Sequence, residues 1–227
     1  MNSKKIPFEI PPYPKEQAGN NLLCCNIAYE KLQRARDVVL SILALSILWP
    51  FLLLIGLLIM MESPGASPVF CQTRIGKNGV PFTCYKLRTM HPNAEHKLEA
   101  LLSQNEMDGP VFKMLHDPRV TRLGRFLRRT GLDELPQLWN ILRGEMSIVG
   151  PRPGLPQEVK QYDVRTARRL QILPGITCYW QIQPQRNTLP FDRWVELDLQ
   201  YIDRRSFRED WIIIWKTFGA IIRMDGM

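Results

Sequence analysis

The sequence predicts a helix-dominated α+β fold that is anchored by one re-entrant membrane helix. Three observations lead to this prediction. Residues 38–61 carry no charged side chain and contain only two serines. Two runs rich in β-forming residues flank the pair Asn78-Gly79, a combination typical of a β-hairpin. Apolar residues at helical spacing recur through much of the chain after residue 118, so we expect more helices than strands.

The apolar stretch is long enough to enter a bilayer, because a spanning helix needs about 20 apolar residues. Pro50 lies near its centre, where it removes a helix hydrogen bond and pushes Trp49 away from helical backbone angles. Each half, 38–49 and 51–61, would form a helix of roughly 17 Å, which is about one leaflet of a ~30 Å hydrocarbon core. We therefore predict that the membrane helix breaks at Trp49 and Pro50.

Basic residues on both sides of the stretch favour a re-entrant helix over a spanning one. Lys and Arg near a membrane segment favour the cytoplasmic side, and a single span places only one flank there. A helix that enters, bends at Pro50 and returns places both flanks on that side. Prolines also occur in spanning helices, so a span is the alternative. Asp37 borders the hydrocarbon and is expected to pair with a neighbouring arginine. The basic flanking residues are Lys4, Lys5, Lys15, Lys31, Arg34 and Arg36 before the stretch and Arg74, Lys77, Lys86 and Arg88 after it.

The composition favours anionic partners. The chain has 30 Lys and Arg against 22 Asp and Glu, a net charge of +8, so we expect it to bind lipid head groups, nucleotides or phosphates. Nothing in the sequence resembles a helix-turn-helix, a zinc finger or an aromatic RNA-binding motif, so nucleic acid is not an expected partner. Five cysteines without a C-x-x-C pair argue against a disulfide framework or zinc site and fit a reducing cytoplasm.

The chain divides into three parts. Residues 1–28 form an N-terminal arm, residues 29–62 form the re-entrant membrane helix, and residues 63–227 form a domain on the cytosolic face with interfacial helices. The third part is long enough to bury a hydrophobic core. No small-residue cleavage site follows the apolar stretch, so a signal peptide is not expected.

Two of the helices predicted in this domain have two open interpretations. The arginine-rich helix at 119–130 and the apolar helix at 211–222, which carries two tryptophans, either pack on the soluble core or lie at the membrane interface, where tryptophan is enriched. Thr130 and Asp133 have the spacing of a capping box for the next helix. The other expected elements are hairpin strands at 69–75 and 80–87, a helix ending at 142, a strand at 146–149, helices at 157–173 and 191–201, and turns at 150–153 and 174–177.

Asp133 and Glu134 are the candidates for chemistry. Adjacent residues on a regular helix do not face each other, but at a helix start both carboxylates can reach one ion or phosphate. Acidic residues also stabilise helix N-termini through the helix dipole, and this structural role is the alternative. Carboxylates with nearby cations suit a Mg²⁺-bound pyrophosphate, whereas a glycine-rich phosphate loop and a dinucleotide fingerprint are absent from the sequence. The cations are Lys86, Arg128, Arg129, Arg143, Arg152 and Arg186.

Four segments occur in the order found in one protein family. They are KLRTM at 86–90, LDELPQLWN at 132–140, GEMSIVGPRP at 144–153 and PGIT at 174–177. Through these segments the chain resembles the bacterial sugar transferases, the monotopic phosphoglycosyl transferases, over residues 29–222. It is similar to the short form of the family, which lacks the additional N-terminal membrane bundle of longer members.

The resemblance implies an enzyme on the cytoplasmic face of the bacterial inner membrane. Similar enzymes transfer a sugar 1-phosphate from a UDP-sugar to undecaprenyl phosphate and release UMP, which is the first membrane step of glycan assembly. The resemblance makes Asp133 the nucleophile that forms a covalent phosphosugar intermediate. It places Asp133 and Glu134 near Mg²⁺, and Glu134 alternatively assists the second half of the reaction.

The resemblance also implies a set of substrate-binding residues, of which the cations would clamp phosphate or carboxylate groups. Asp210 has an alternative role as the structural partner of an arginine. Departures from the family pattern at Cys178 and Gln185 leave the identity of the sugar open, and homo-oligomerisation is also open. Trp49 stands where similar proteins often have serine, so the bend at Pro50 is expected without a hydroxyl-to-backbone bond. The competing hypothesis is a non-catalytic, membrane-anchored basic adaptor that binds anionic lipid or protein. The implied substrate-binding residues are Lys86, Arg128, Arg152, Arg186 and Asp210.

Overall fold

A computed structural model describes residues 20–184 and 186–222, and the predicted helix-dominated α+β class is confirmed there. One long apolar helix is followed by a β-hairpin and a domain of short helices with a second, smaller sheet. Residues 1–19 of the expected N-terminal arm and Gln185 lie outside the described residues. The elements are α1 (Asn20–Glu62), β1 (Val69–Ile75), β2 (Pro81–Leu87), α2 (Arg122–Thr130), α3 (Gln137–Arg143), β3 (Ser147–Val149), α4 (Pro156–Val159), α5 (Val164–Ala167), β4 (Gly175–Thr177), α6 (Phe191–Arg204) and α7 (Phe207–Ile222).

Helix α1 is long and apolar enough to cross a membrane, with a mean hydropathy of 2.7 in its most apolar part, and it indicates membrane association. The helix continues through Trp49 and Pro50, so the interruption expected there is not present in the secondary structure. Proline removes one backbone donor, and a helix can continue beyond that gap. One side of α1 packs on the domain through buried residues that include Gln33, Ser41 and Ile59.

The predicted hairpin is confirmed. Strands β1 and β2 pair antiparallel, with Val69 opposite Leu87 and Ile75 opposite Pro81. Asn78 and Gly79 have φ angles of 58° and 73°, in the left-handed region that asparagine and glycine tolerate best.

Strands β3 and β4 pair in parallel, with Val149 opposite Thr177. A turn was expected at 174–177, and a three-residue strand there is a correction. Such a strand is too short to show an alternating pattern in the sequence. Gly175 is required at this contact, because a Cβ atom there would lie 2.1 Å from the backbone nitrogen of Gly150.

Two predictions about helix ends were wrong. The helix expected over 157–173 is divided into α4, α5 and a short 3-10 turn. Asp163 starts α5 by accepting a hydrogen bond from the Thr166 amide at 2.8 Å, which ends the preceding segment. Thr130 does not cap the next helix, because its hydroxyl donates back to the Phe126 carbonyl within α2 at 2.9 Å.

The core places these elements around one region. The inner face of the hairpin packs on α3 and the start of β3 through Phe82, Cys84, Ile141 and Met146. A second cluster joins β3, α6 and α7, and a third is built on α6. The carboxyl end of β2, the turn between α2 and α3, and the turn after β3 therefore lie close together.

Candidate active site

Asp133 and Glu134 lie in a short 3-10 turn, Leu132–Glu134, between α2 and α3. Helix α2 ends at Gly131, whose φ of 71° only glycine adopts readily. Leu132 packs in one apolar cluster and Leu135 in another. The two carboxylates are therefore held in a turn that is anchored on both sides, and not on a regular helix that would point them apart.

Lys86, at the end of β2, pairs with Glu134. Its Nζ lies 2.6 Å from Glu134 Oε1. Burial alone would raise the pKa of Glu134, but the charges of Lys86, Arg152 and Arg74 and the hydrogen bond from Lys86 hold it below its ordinary value. Glu134 is therefore ionised at neutral pH.

Asn140 holds this pair in place and was not among the predicted site residues. It is fully buried, accepts a hydrogen bond from the Tyr85 amide at 3.1 Å, and donates to the Thr83 carbonyl at 2.6 Å. These bonds fix α3 to β2, so that Lys86 and Glu134 meet.

Asp133 is buried, with 8% of its surface exposed. Burial raises its pKa to about 6; the Glu134 charge adds to this rise, while Lys86 and Arg128 oppose it. No side chain among residues 27–184 and 186–221 donates a hydrogen bond to the Asp133 carboxylate. This carboxylate is thus ionised at pH 7 and available to a ligand.

Arg128 lies near the same carboxylate. Its Nε donates to the Thr89 hydroxyl at 2.9 Å, which orients the guanidinium. Burial lowers the pKa of Arg128, and the negative charge of Asp133 acts against this. The structure thus brings Arg128, Lys86 and the two carboxylates together.

Arg152 projects from the rigid turn after β3, and neighbouring arginines fix that turn. Arg74 Nη1 donates to the Pro153 carbonyl at 3.0 Å, and Arg169 Nη2 donates to the Arg152 carbonyl at 3.2 Å. A small cavity is lined by Lys86, Glu134 and Arg152, together with Arg74, Cys84, Gln137, Pro153, Gly175, Ile176 and Gln181.

Arg186 contacts one residue of the cavity lining, because its Nη1 donates to the carbonyl of Gln181 at 3.0 Å. The structure therefore brings Lys86, Arg128 and Arg152 to the carboxylate pair and Arg186 to the lining of the neighbouring cavity.

Asp210 is itself fully buried and lies in a different network, at the start of α7. It pairs with Arg36 of α1 at 2.5 Å and accepts hydrogen bonds from the hydroxyls of Tyr29 at 2.9 Å and Tyr201 at 2.7 Å. This is the structural arginine partnership that the sequence left open as an alternative. The predicted partnership of Asp37 is confirmed, because Arg36 Nη2 lies 2.7 Å from it.

Sequence reasoning missed several polar residues that surround the site. Arg74 and Lys113 are buried cations, and Arg169 forms a buried ion pair with Asp198 at 2.9 Å. Arg74 had been counted only as a basic flank of the membrane helix. Lys113 and Arg169 lie in segments without a recognisable motif, so only the folded chain places them here.

The carboxylate pair fits Mg²⁺ as a partial ligand set. Mg²⁺ is usually held by one or two carboxylates with the remaining positions taken by substrate phosphates and water. Within the described part of the chain, the Asp133 carboxylate accepts no hydrogen bond from another side chain. Within the described residues, no cluster of three or more His, Cys, Asp or Glu side chains could hold a metal by itself. Asp133 and Glu134 are therefore the residues that would hold the ion, with substrate completing the site.

Together, these features define a membrane-associated protein in which a cluster of cations surrounds a buried, ionised aspartate, an arrangement whose charge suits an anionic ligand. The chain belongs to the bacterial sugar transferase family, which it matches over residues 28–224.

Several characterised relatives are similar to the chain. It is 42% identical to the exopolysaccharide production protein ExoY of Sinorhizobium fredii, covering 83% of this chain and 84% of ExoY. It is 38% identical to the UDP-glucose:undecaprenyl-phosphate glucose-1-phosphate transferase of Caulobacter vibrioides, covering 88% and 73%. It is 43% identical to the galactosyl transferase CpsE of Streptococcus agalactiae, covering 71% of this chain and 36% of CpsE. The chain thus spans less than half the length of some relatives.

Proposed function

We propose that this protein transfers a sugar 1-phosphate from a UDP-sugar to undecaprenyl phosphate and releases UMP, as the first membrane step of bacterial glycan assembly. Family membership and the activity for which the Caulobacter relative is named support the reaction class. The observation that carries the proposal is the buried Asp133 carboxylate, which accepts no hydrogen bond from the side chains that the structure describes and faces a cationic site.

In the first half of the reaction, Asp133 acts as the nucleophile. Its carboxylate oxygen forms a bond to the phosphorus that carries the sugar, the P–O bond to UMP breaks, and UMP leaves with the electron pair. The carboxylate attacks as an anion, so this step releases no proton. A pKa of about 6 suits this role, because the group is ionised at pH 7 yet more basic than an ordinary aspartate.

In the second half, an oxygen of undecaprenyl phosphate attacks the same phosphorus. The bond from phosphorus to Asp133 breaks, and the carboxylate is restored with its electron pair. Such a covalent route divides one difficult displacement into two easier ones. Lys86 keeps Glu134 ionised beside the nucleophile, and Arg128 and Arg152 orient phosphate oxygens.

Asp133 and Glu134 would hold Mg²⁺ together with the pyrophosphate of the donor. When bound, the ion would neutralise charge on that pyrophosphate.

The contacts of α1 support a re-entrant arrangement on the cytoplasmic face. Arg36, before the apolar stretch, pairs with Asp210, while Ile59, near its end, packs with Leu127 of α2. A straight helix from Arg36 to Ile59 would extend about 35 Å, more than a ~30 Å hydrocarbon core. A domain on one side of the bilayer would not reach both ends of such a span. A helix that bends at Pro50 without losing its helical hydrogen bonding on either side, and so stays in one leaflet, would keep both ends beside the domain.

Exposed aromatic residues support contact of the domain with the membrane surface. Helix α2 buries Leu127 and exposes Phe126, and α7 buries Ile213 and exposes Trp215 and Phe218. Each helix therefore packs one face on the core and presents apolar side chains on the other, as expected of helices at a membrane interface. The lipid-linked acceptor could then place its phosphate at the depth of the site.

Release of UMP tests the reaction. Purified protein in detergent is mixed with undecaprenyl phosphate, Mg²⁺ and a panel of UDP-sugars. We expect UMP with at least one donor and none from Asp133→Asn, with Asp192→Asn on the exposed surface of α6 as the control. Undiminished UMP release by Asp133→Asn would reject the nucleophile assignment. Binding to anionic vesicles without turnover of any donor would favour the adaptor.

Cysteine labelling tests the topology. Single cysteines are placed near Lys5 and near Lys77 in a cysteine-free chain and treated with a membrane-impermeant maleimide in inverted vesicles and in spheroplasts. Both sites are expected to react in inverted vesicles only. Labelling from opposite faces would show that α1 spans the membrane.

A further inference from the structure

The described part of the chain buries five basic side chains, and only three of them have a carboxylate partner. Buried charges are costly unless a counter-charge lies close. Arg74 and Lys113, which are 7% and 8% exposed, have no carboxylate oxygen of a described residue within 4.0 Å. The paired cations are Arg36 with Asp37 and Asp210, Arg119 with Asp117, and Arg169 with Asp198.

Arg74 lies on β1 and lines the same cavity as Lys86 and Arg152. Its Nη1 donates to the Pro153 carbonyl at 3.0 Å and its Nη2 donates to Gln72 Oε1 at 2.8 Å. Both partners are neutral, and the charges of Glu158 and Glu134 act on the guanidinium only from beyond ion-pair distance. The guanidinium has five N–H donors, and these two bonds leave others for a ligand.

Lys113 lies in the segment before α2. Its Nζ donates to the backbone carbonyl of Asn187 at 2.7 Å and stands 5.7 Å from the ring centre of Trp194. Burial and the positive charges of Arg152 and Arg186 lower its pKa to about 8. Like charges thus converge around Lys113 although their mutual repulsion destabilises the unliganded site.

We propose that Arg74 and Lys113 bind the phosphates of the nucleotide-sugar donor together with Arg152. The two residues come from separate elements, and the charge of Arg152 acts on both. A diphosphate would bring negative charge close to these cations, and its binding would offset their repulsion by Arg152. This inference rests on the proposed function, because that function makes a UDP-sugar the ligand.

Direct binding of UDP tests the inference without requiring turnover. Affinity is measured by isothermal titration calorimetry on the full chain in detergent with Mg²⁺, for wild type, Arg74→Gln and Lys113→Gln. Each substitution is expected to weaken binding about tenfold or more, the usual loss for a hydrogen bond to a charged group. Lys160→Gln removes one exposed lysine charge and should leave the affinity unchanged.

The outcomes separate this inference from the proposed reaction. Unchanged UDP affinity in either glutamine variant, or no UDP binding by wild type, would overturn the inference. Protein that binds UDP through Arg74 and Lys113 but releases no UMP with any donor would refute the reaction and leave the inference standing. Melting temperatures without UDP show whether each variant is folded.

The UDP affinity measured over a pH series distinguishes a phosphate contact by Lys113 from a purely structural role. The same series tests the contact if Lys113→Gln does not fold. The charged groups that act on this lysine are Arg152, Arg186 and Glu106. Lysine with a pKa of about 8 loses its charge above that pH, whereas arginine does not. The UDP affinity of wild type should therefore fall between pH 7 and pH 9, and that of Lys113→Arg should fall less. An equal fall in UDP affinity for wild type and Lys113→Arg would contradict a contact between Lys113 and phosphate.

Discussion

Replacing Asp133 with asparagine should inactivate the protein and also make it more stable above neutral pH. Burial raises the pKa of Asp133 from 3.8 to about 6, so the folded state disfavours the charged form. Asparagine has nearly the same volume and no charge to desolvate. The free-energy cost of burying the charged Asp133 carboxylate should therefore be absent from the variant.

The size of this gain depends on pH. Because the folded-state pKa lies above the unfolded value, the cost is complete above pH 6 and vanishes as the pH falls through 3.8. A pKa raised from 3.8 to about 6 lowers the free energy of unfolding of wild type by about 3 kcal/mol at pH 8 and by about 1 kcal/mol at pH 4.5. Asp133→Asn should regain these amounts. For a chain of this size, each kcal/mol of added stability raises the melting temperature by about 2 to 4 °C.

Thermal melting of wild type and Asp133→Asn at both pH values provides the assay. Asp192→Asn is the control, because its side chain is 86% exposed and should not stabilise the fold. A variant that is no more stable than wild type at pH 8 would refute this reasoning. So would a gain of equal size at pH 4.5, because desolvation of a titrating carboxylate cannot produce it.

Three further substitutions follow from the contacts. Lys86→Met removes the partner of Glu134 at 2.6 Å, so the pKa values of both carboxylates should rise and the acid limb of the rate–pH profile of UMP release should move to higher pH. Arg36→Met leaves Asp210 buried without its cation and should lower the free energy of unfolding by about 3 to 5 kcal/mol, measured by denaturant titration. Gly175→Ala places a Cβ atom 2.1 Å from a facing backbone nitrogen and should lower the melting temperature, with a cost of at least about 1 to 3 kcal/mol.

Each of these expectations has an opposing result. An unshifted acid limb in Lys86→Met would show that Lys86 does not control the carboxylate pair. Arg36→Met with wild-type stability would mean that the buried network does not fix α1 to α7. Normal melting of Gly175→Ala would contradict the close approach of β3 and β4.

The sequence predicted the features that local chemistry determines. Asn78-Gly79 between β-rich runs identified the hairpin, because these residues tolerate a left-handed turn. Asp133 and Glu134 were identified because paired acids with arginines suit phosphate chemistry, and the fold brought Lys86 and Arg152 to them as expected. The order of the four motifs along the chain indicated the bacterial sugar transferase family.

Features that depend on tertiary contacts were not predictable in the same way. Arg74 and Lys113 lie far apart in sequence, and only the folded chain brings both within range of the charge of Arg152. Strand β4 is too short to show periodicity. The Thr130 hydroxyl could either cap the next helix or bond back to a carbonyl within α2. The sequence did not distinguish these, and the backbone turn at Gly131, just after α2, favours the bond within α2.

Trapping the covalent intermediate tests the central claim most directly. Wild-type protein is incubated with Mg²⁺ and an active UDP-sugar in the absence of undecaprenyl phosphate, and its intact mass is measured. We expect a gain equal to one sugar phosphate, located on Asp133 by peptide mapping and lost when undecaprenyl phosphate is added. An unchanged mass in protein that still releases UMP when both substrates are present, or an adduct on another residue, would contradict the proposed mechanism.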